Sequence, residues 1–269
     1  MTAVWCDFHL HSHHSDGEFA PARIVDIVAD AGVEVMALTD HDTIAGHAEA
    51  AARARERGVV FVGGIEMTAY AQPEVVHVLG LRVSGASETL AGANAIAMEV
   101  WSANQVRWVS ALSAAGFSLS PERVLADRPL RLPVLIERLC ALGVDDGDPA
   151  RCYARFKEFF ASLPPDAFAR LPSPAKAAAT IRAAGGIAIL AHPERLRSNG
   201  LTDRLIADVD GIEALYAPYD PPARETLRQL AVSRGKLYTC GSDYHGYFNG
   251  AYVNPRFEAP PDLLSRLGI

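Results

Sequence analysis

The chain has 269 residues, of which 49% are hydrophobic and 21% charged, and its formal net charge is −7. This composition is that of a globular protein, and the acidic balance argues against a large nucleic-acid or membrane-binding surface. No apolar run reaches the roughly 18 to 20 residues of a membrane span, and the start MTAVWCDFHLH does not resemble a signal peptide. The four cysteines form no CxxC pair, so we expect reduced thiols and a cytoplasmic protein.

Strands and helices alternate along the first 85 residues. VWCDFHL and VEVMALTD predict strands over residues 4–10 and 33–40, and runs rich in β-branched residues predict strands over 59–66 and 74–83. PARIVDIVADAG has proline at its first turn and glycine at its end, which predicts a helix over 21–32, and a second helix ends at the glycine of AGHAEAAARARERG.

The pattern changes after residue 86. A long helical pattern covers residues 87 to about 116, and the chain up to about 170 is rich in proline and shows no strand pattern. We therefore predict an inserted helical subdomain over 87–169, within a barrel domain formed by 1–86 and 170–269.

The alternation resumes after the insertion. Helices are predicted over 173–186, 202–208 and 222–235, and strands over 187–193, 211–218 and 236–243. Seven strands linked mostly through helices favour an α/β barrel of parallel strands. An open doubly wound sheet stays possible, although no GxGxxG loop follows any strand.

Histidines and acidic residues concentrate where predicted strands end. The stretch DFHLHSHHSDG, residues 7 to 17, carries four histidines and two aspartates, and similar residues follow the later strands. The carboxyl ends of barrel strands meet at one face, so these side chains should converge there. His9 and His11 are two residues apart and point to the same side of a strand. The candidate residues are His9, His11, Asp16, Asp40, His41, Asp42, Glu66, His77, His192, Asp243 and His245.

Imidazole and carboxylate ligands without thiolate suit manganese, zinc or iron. The strand-end residues therefore predict a metal site. We expect His13, His14 and His47 to have structural roles instead.

Six phrases carry a resemblance to a known family. DFHLHSHHSDG, ALTDHDT, GIEMT, HVLG, GGIAILAHP and CGSDYHG resemble, in this order, the motif series of the PHP (polymerase and histidinol phosphatase) family. The resemblance implies a distorted (β/α)7 TIM-like barrel that binds up to three metal ions and hydrolyses phosphate esters.

The resemblance also implies a ligand set. His9, His11, Glu66 and Asp243 would hold one metal ion, and Glu66 would bridge to a second ion held by His77 and His192. Asp16, His41 and His245 would hold a third. We expect two to three divalent ions, with Mn²⁺ favoured and Zn²⁺ or Fe²⁺ as alternatives, and a metal-bridging hydroxide as the nucleophile.

Within the family, the chain is most similar to small bacterial enzymes that include nucleoside 3′,5′-bisphosphate phosphatases and 5′–3′ exoribonucleases. These relatives commonly carry an Arg-Pro-His segment in the insertion, whereas RLPVLIERL keeps Arg131 without the histidine. Arg131 and Arg195 are candidate phosphate-binding residues. Asp40 is a candidate either to orient a ligand imidazole or to donate a proton.

The predicted function is hydrolysis of a phosphate monoester of a small metabolite, a nucleotide such as a nucleoside 3′,5′-bisphosphate. Alternatives are an exonuclease on short RNA or DNA, a phosphatase of histidinol phosphate or a cyclic phosphate, a non-catalytic metal-binding module and a C–N amidohydrolase. A basic groove with aromatic residues would favour the nuclease. We expect no membrane association and no obligate protein partner. The insertion does contain arginines, at 107, 123, 128, 131, 138, 151 and 155.

Overall fold

The computed structural model describes residues 3–83, 85, 87–126, 130–246, 251–252 and 254–269. The chain divides into two compact units. The barrel unit comprises Met1–Asn94 and Pro172–Ile269, and the helical unit comprises Ala95–Leu171. The unit boundaries thus fall at 94 and 172, whereas the sequence placed them at 86 and 170.

One seven-stranded sheet, with its strands in chain order, forms the centre of the barrel unit. The strands are β1 (Cys6–Asp7), β2 (Val35–Leu38), β3 (Val60–Ala71), β4 (Glu74–Leu81), β5 (Ile187–Leu190), β6 (Gly211–Tyr216) and β7 (Leu237–Gly241). The Phe8 N–H donates to the Cys240 carbonyl at 3.1 Å, and Leu10 forms a parallel bridge with Tyr244. These bonds join the first and last strands, so the sheet nearly closes into a barrel.

The prediction of an α/β barrel with seven strands is confirmed, but the expectation that all strands run parallel is wrong for β4. This strand pairs antiparallel with both β3 and β5. β3 continues five residues past its predicted end, to Ala71, and only Gln72 and Pro73 separate it from β4. A two-residue connection permits only an antiparallel pair.

Ten α-helices occur in the described residues. Proline opens most of them, as is typical of the first helical turn. They are α1 (Pro21–Asp30), α2 (His47–Arg57), α3 (Glu88–Ala114), α4 (Pro121–Val124), α5 (Leu132–Ala141), α6 (Pro149–Ser162), α7 (Pro174–Ala183), α8 (Leu201–Leu205), α9 (Pro221–Ser233) and α10 (Pro261–Leu267). Helix α10 is not among the elements predicted from sequence.

Alternate residues of the strands join different apolar clusters, because side chains alternate between the two faces of a strand. Val35 and Ala37 of β2 pack with the cluster that includes Phe8, whereas Met36 and Leu38 pack with α1 and α2. None of the helices in the described part of the chain is long and apolar enough to cross a membrane.

The helical unit has an apolar core of its own. Trp108 and Leu112 of α3 pack with Leu135 and Leu139 of α5 and Cys152 of α6. Its described residues contain no strand.

Candidate metal centre

The nine predicted ligands lie close together, and Glu66 is at their centre. Its side chain is fully buried, and its backbone forms a parallel bridge with His41, three residues after the end of β2. Glu66 Oε2 lies 3.1 Å from Nε2 of His9, 3.1 Å from Nε2 of His11 and 3.4 Å from Nδ1 of His41. One carboxylate oxygen thus faces three imidazoles.

The other oxygen of Glu66 faces a separate pair. Oε1 lies 3.1 Å from Nδ1 of His77 and 3.2 Å from Nε2 of His192. His77 reaches this position from within β4, because that strand runs antiparallel to its neighbours.

Two aspartates complete the group. Asp243 Oδ1 lies 3.2 Å from Nε2 of both His9 and His11. Asp16 Oδ2 lies 3.1 Å from Nε2 of His245 and 3.7 Å from Nε2 of His41. The structure therefore brings together residues from the segments that follow β1, β2, β5 and β7 and from within β3 and β4.

Among the described residues, three overlapping sets present ligand atoms within 4.8 Å of one another. They are His9, His11, Glu66 and Asp243; His11, Asp16, His41 and His245; and His41, Glu66 and His77. The first has the same members as a set implied by the family resemblance, the second adds His11, and the third holds His41 where the resemblance places His192.

The donors present fit bound cations. The Nδ1 atoms of His11, His41 and His192 are buried, and within the described part of the chain they have no hydrogen-bond partner. An unsatisfied buried polar group costs about 1–3 kcal/mol, so three such atoms in one site favour a bound ligand. Nitrogen and carboxylate donors without thiolate match manganese, zinc or iron.

The protonation states also favour metal binding. Burial lowers the pKa of His41 to about 3 and lowers the pKa of His192, so both rings are neutral. Burial alone would raise the pKa of Glu66, but the surrounding histidines, among them His9 with its raised pKa, outweigh it and hold the pKa of Glu66 well below its usual range. Neutral imidazole and ionised carboxylate are the forms that coordinate metal ions.

His11 differs from these two histidines. Burial disfavours its charged form, but Asp243, Glu66 and Asp16 outweigh this effect and raise its pKa to about 10. A cation that binds at His11 must therefore displace a proton.

Sequence reasoning missed two buried residues of β6 beside the site. Glu213 Oε1 lies 2.8 Å from Nδ1 of His9, and the Tyr216 hydroxyl donates to Asp243 Oδ2 at 2.6 Å. The one available signal was a glutamate inside the otherwise apolar strand GIEALYAP, because an acid in such a run is rarely buried without a partner.

The candidate Asp40 supports the loop that carries Asp16. Ser12 donates to Asp40 from both its backbone N–H and its hydroxyl, each at 2.7 Å, and the Ser15 hydroxyl donates at 2.7 Å. Asp40 thus bonds to the loop between His11 and Asp16, and its two predicted roles, orienting a ligand imidazole or donating a proton, stay predictions.

The backbone is strained at three positions of the site. Asp42, His192 and Asp243 have φ angles of +51°, +27° and +55°, a region that residues other than glycine rarely adopt. Asp42 also accepts two hydrogen bonds from Thr68, and burial raises its pKa to about 6. Such strain typically accumulates at functional sites, where surrounding contacts maintain it.

The two predicted phosphate-binding arginines lie in different units. In the barrel unit, the Arg195 guanidinium is 3.2 Å from Asp243 Oδ2, and its side chain is 57% exposed. In the helical unit, Arg131 is exposed and precedes α5 as its N-cap residue.

The remaining histidines have other contacts. His47 Nε2 lies 2.7 Å from the carbonyl oxygen of Gly64, and the rings of His13 and His14 pack edge to face. None of these three belongs to the metal-binding sets found in the described residues.

Comparisons with known proteins identify the family. The PHP domain model matches residues 7–118. The chain is 31% identical to a phosphoribosyl 1,2-cyclic phosphate 1,2-diphosphodiesterase of Eggerthella lenta, over 94% of this chain and 98% of that protein. It is 30% identical to a 3′,5′-nucleoside bisphosphate phosphatase of Chromobacterium violaceum, over 95% of this chain and 92% of that protein. It is also 30% identical to a 5′-3′ exoribonuclease of Haemophilus influenzae, over 89% of each chain.

A solved structure agrees with this assignment. A protein of Bifidobacterium adolescentis described as a metal-dependent phosphoesterase superposes with a TM-score of 0.79 at 27% identity, covering 98% of this chain and 97% of that one. The predictions of family, fold and reaction class are thus confirmed. The chain belongs to the PHP family and is a metal-dependent phosphoesterase.

Proposed function

We propose that this enzyme hydrolyses a phosphate monoester on a ribose, and that a nucleoside 3′,5′-bisphosphate is its substrate. The observation that carries the proposal is the cluster of three overlapping ligand sets around Glu66. The ribose is supported by the relatives, two of which are named for a phosphoribosyl compound and a nucleoside bisphosphate.

The centre would hold two to three divalent ions, with Mn²⁺ first and Zn²⁺ or Fe²⁺ as alternatives. Glu66 is suited to bridge two of them, because Oε2 faces His9 and His11 while Oε1 faces His77 and His192. Asp16, His41 and His245 would hold the third.

The residues around the centre would prepare the phosphate for attack. When bound, the cations supply Lewis acidity and lower the pKa of water toward neutrality. Asp16, Glu66 and Asp243 do not neutralise three divalent ions, so the site remains positive within an acidic protein. Arg195, beside Asp243, would bind a non-bridging phosphate oxygen and orient the ester.

We further propose that the helical unit caps the substrate and that Arg131 binds its second phosphate. Replacing Arg131 or Arg195 with alanine should raise KM for a bisphosphate by about 10-fold or more, because each removes a charge-assisted hydrogen bond of about 1.5–3 kcal/mol. Only the Arg131 variant should leave KM for a nucleoside monophosphate unchanged. An unchanged KM in both variants with the bisphosphate would remove both arginines from substrate binding.

Arginines of the helical unit bear on the nuclease alternative. Arg107 pairs with Asp166, Arg155 pairs with Asp145, and Arg151 pairs with Asp146 at 2.8 Å. Paired arginines are poorly suited to a nucleic-acid groove, since each phosphate contact would have to displace a carboxylate. Arg128 lies outside the described residues. We therefore place the small substrate ahead of short RNA or DNA.

The second candidate is the cyclic phosphate of a phosphorylated ribose. It is favoured by the relative from Eggerthella lenta, which is named for that substrate and matches 94% of this chain. Histidinol phosphate is a weaker alternative.

Phosphate release tests these proposals. Metal-free protein is reloaded with Mn²⁺ and assayed with a nucleoside 3′,5′-bisphosphate, a nucleoside monophosphate, phosphoribosyl 1,2-cyclic phosphate, histidinol phosphate and short RNA. The bisphosphate should give the highest kcat/KM. A higher value for the cyclic phosphate or for RNA would overturn the substrate assignment, and fewer than two metal ions by elemental analysis would overturn the cluster.

The predicted cytoplasmic location is part of the same proposal. All four cysteines are free thiols, which supports a reducing compartment.

A further inference from the structure

Strand β6 differs from its neighbours in the sheet. The other six strands, or the loops that follow them, carry predicted metal ligands, whereas β6 carries none. It contributes Glu213 instead, whose side chain is fully buried and directed at the cluster.

We propose that Glu213 is a positioning residue that orients His9 and His192, so that both rings present Nε2 to the cations. The inference rests on the proposed metal centre and assigns one carboxylate to the ligands of two different ions. Each of its two carboxylate oxygens accepts a hydrogen bond from a different histidine.

The first oxygen fixes the His9 ring. Glu213 Oε1 lies 2.8 Å from Nδ1 of His9, and a carboxylate can only accept, so Nδ1 must carry hydrogen. In the neutral ring the lone pair is then on Nε2. That atom lies 3.1 Å from Glu66 Oε2 and 3.2 Å from Asp243 Oδ1, inside the first ligand set.

The second oxygen fixes the backbone of His192. Glu213 Oε2 accepts the backbone N–H of His192 at 2.8 Å, at a residue whose φ is +27°. This hydrogen bond helps to hold the strained conformation in which His192 Nε2 reaches to 3.2 Å from Glu66 Oε1. His9 and His192 approach opposite oxygens of Glu66, so Glu213 links both halves of the centre.

The fold leaves space for this carboxylate. Gly241 on β7 lies against it, and a Cβ at that position would come within 2.6 Å of Glu213 Oε1. A larger residue at 241 would displace Glu213 or His9.

The number of hydrogen-bond acceptors at position 213 can be changed by a single substitution. The two N–H groups that face Glu213 need two acceptors, and Glu213→Gln keeps the size of the side chain but supplies only one. Whichever way the amide turns, its NH2 group faces either Nδ1 of His9 or the backbone N–H of His192. One of the two histidines is then misoriented.

The experiment compares Mn²⁺ binding by calorimetry in wild type, Glu213→Gln and the matched control Asp210→Asn, each stripped of metal by chelation. Asp210 precedes β6 and also accepts a backbone N–H, from Ala188 at 2.9 Å, but belongs to none of the ligand sets. Glu213→Gln should weaken Mn²⁺ binding 10- to 100-fold, as is typical for loss of an outer partner of a metal ligand. Asp210→Asn should bind as wild type does.

A second readout separates positioning from general stability. In the zinc-loaded protein labelled with ¹⁵N-histidine, wild-type His9 should show a protonated Nδ1 and a metal-bound Nε2, and Glu213→Gln should change the His9 or the His192 signals. Wild-type affinity together with unchanged signals would overturn the inference. A wild-type protein that binds no Mn²⁺ would instead overturn the metal centre on which it rests.

If Glu213→Gln does not fold, a second variant still tests the inference. Glu213→Asp then replaces it, since it keeps both acceptors on a shorter side chain. Its Mn²⁺ affinity should fall at least several-fold, and wild-type affinity in that variant would overturn the assignment.

Discussion

The two units of the chain bury different kinds of side chain. The barrel unit holds Asp7, His9, His11, Glu66 and Glu213 with no exposed surface. The core of the helical unit is a cluster of apolar residues, joined by the buried neutral amides Asn104 and Gln105, and Arg170 and Glu99 form an exposed pair.

This difference indicates that the buried charges of the barrel unit serve its chemistry, whereas the apolar core of the helical unit serves stability. Buried charges are costly unless they are paired or bind metal, so a barrel that keeps so many retains them for chemistry. The helical unit follows the ordinary rule, in which apolar burial supplies stability and surface pairs add little. Substitutions in the barrel unit should therefore reduce metal binding and activity, whereas substitutions in the helical unit should reduce the free energy of unfolding.

The largest effect is expected for Glu66→Gln in the barrel unit. The variant lacks the charge shared by two ligand sets, so Mn²⁺ binding should weaken by more than the roughly 100-fold expected for an outer partner, and phosphate release should disappear. Calorimetry and a phosphate assay measure this. Glu34→Gln is the control, since Glu34 also accepts a backbone N–H but lies outside the ligand sets. Residual activity above a tenth of wild type would remove Glu66 from the bridge.

A large effect on stability is expected from Leu135→Ala in the helical unit. Leu135 is fully buried, so the variant should lose about 2–5 kcal/mol of unfolding free energy. Urea unfolding measures the loss, and calorimetry should show unchanged Mn²⁺ affinity, because the ligands lie in the barrel unit. The separation of roles would be refuted by a metal affinity that falls along with stability.

As pH rises, the thermal stability of the metal-free protein should fall, whereas its affinity for Mn²⁺ should rise. The folded pKa of His11 is about 10, against an ordinary value of 6.5. Its stabilisation is therefore complete below pH 6.5 and is lost as pH rises toward about 10. Thermal unfolding in chelator should show Tm falling over this range, with a shallower fall in His11→Gln. Mn²⁺ affinity should rise over the same range, because the cation replaces a proton. Equal slopes for the two proteins in chelator would contradict this assignment.

The smallest effect is expected from Arg107→Ala. Arg107 and Asp166 form an exposed pair at 3.3 Å, and pairs of this kind contribute about 0–1 kcal/mol. Urea unfolding should change by no more than about 0.5 kcal/mol. A loss of unfolding free energy comparable to that of Leu135→Ala would show that surface ion pairs, and not only the apolar core, stabilise the helical unit.

Local pattern was sufficient to predict most of the strands and to select the histidines and acids that the structure brings together. Strands such as β2 and β5 are short buried runs between glycines and polar residues, and histidines at their ends are visible in sequence. The direction of β4 was missed because TAYA continues β3 without an obvious strand pattern, which conceals the tight turn at Gln72 and Pro73.

Contacts between distant segments could not be predicted in the same way. Nothing local indicates that Glu213 is buried against His9, or that Asp40 bonds to Ser12 and Ser15. Both outcomes depend on the twist and closure of the sheet, which bring together residues far apart in the chain.

The closure between β1 and β7 also determines when the site can form. Cys6 and Cys240 lie in contact although they are 234 residues apart in sequence, and the neighbouring residues supply His9 and Asp243. Contacts of such long range form slowly, because the entropy of closing the loop is lost before the contact stabilises it. A chain still emerging from the ribosome therefore lacks the complete metal centre until its last strand has been made, and cations cannot be fully loaded before synthesis reaches that strand.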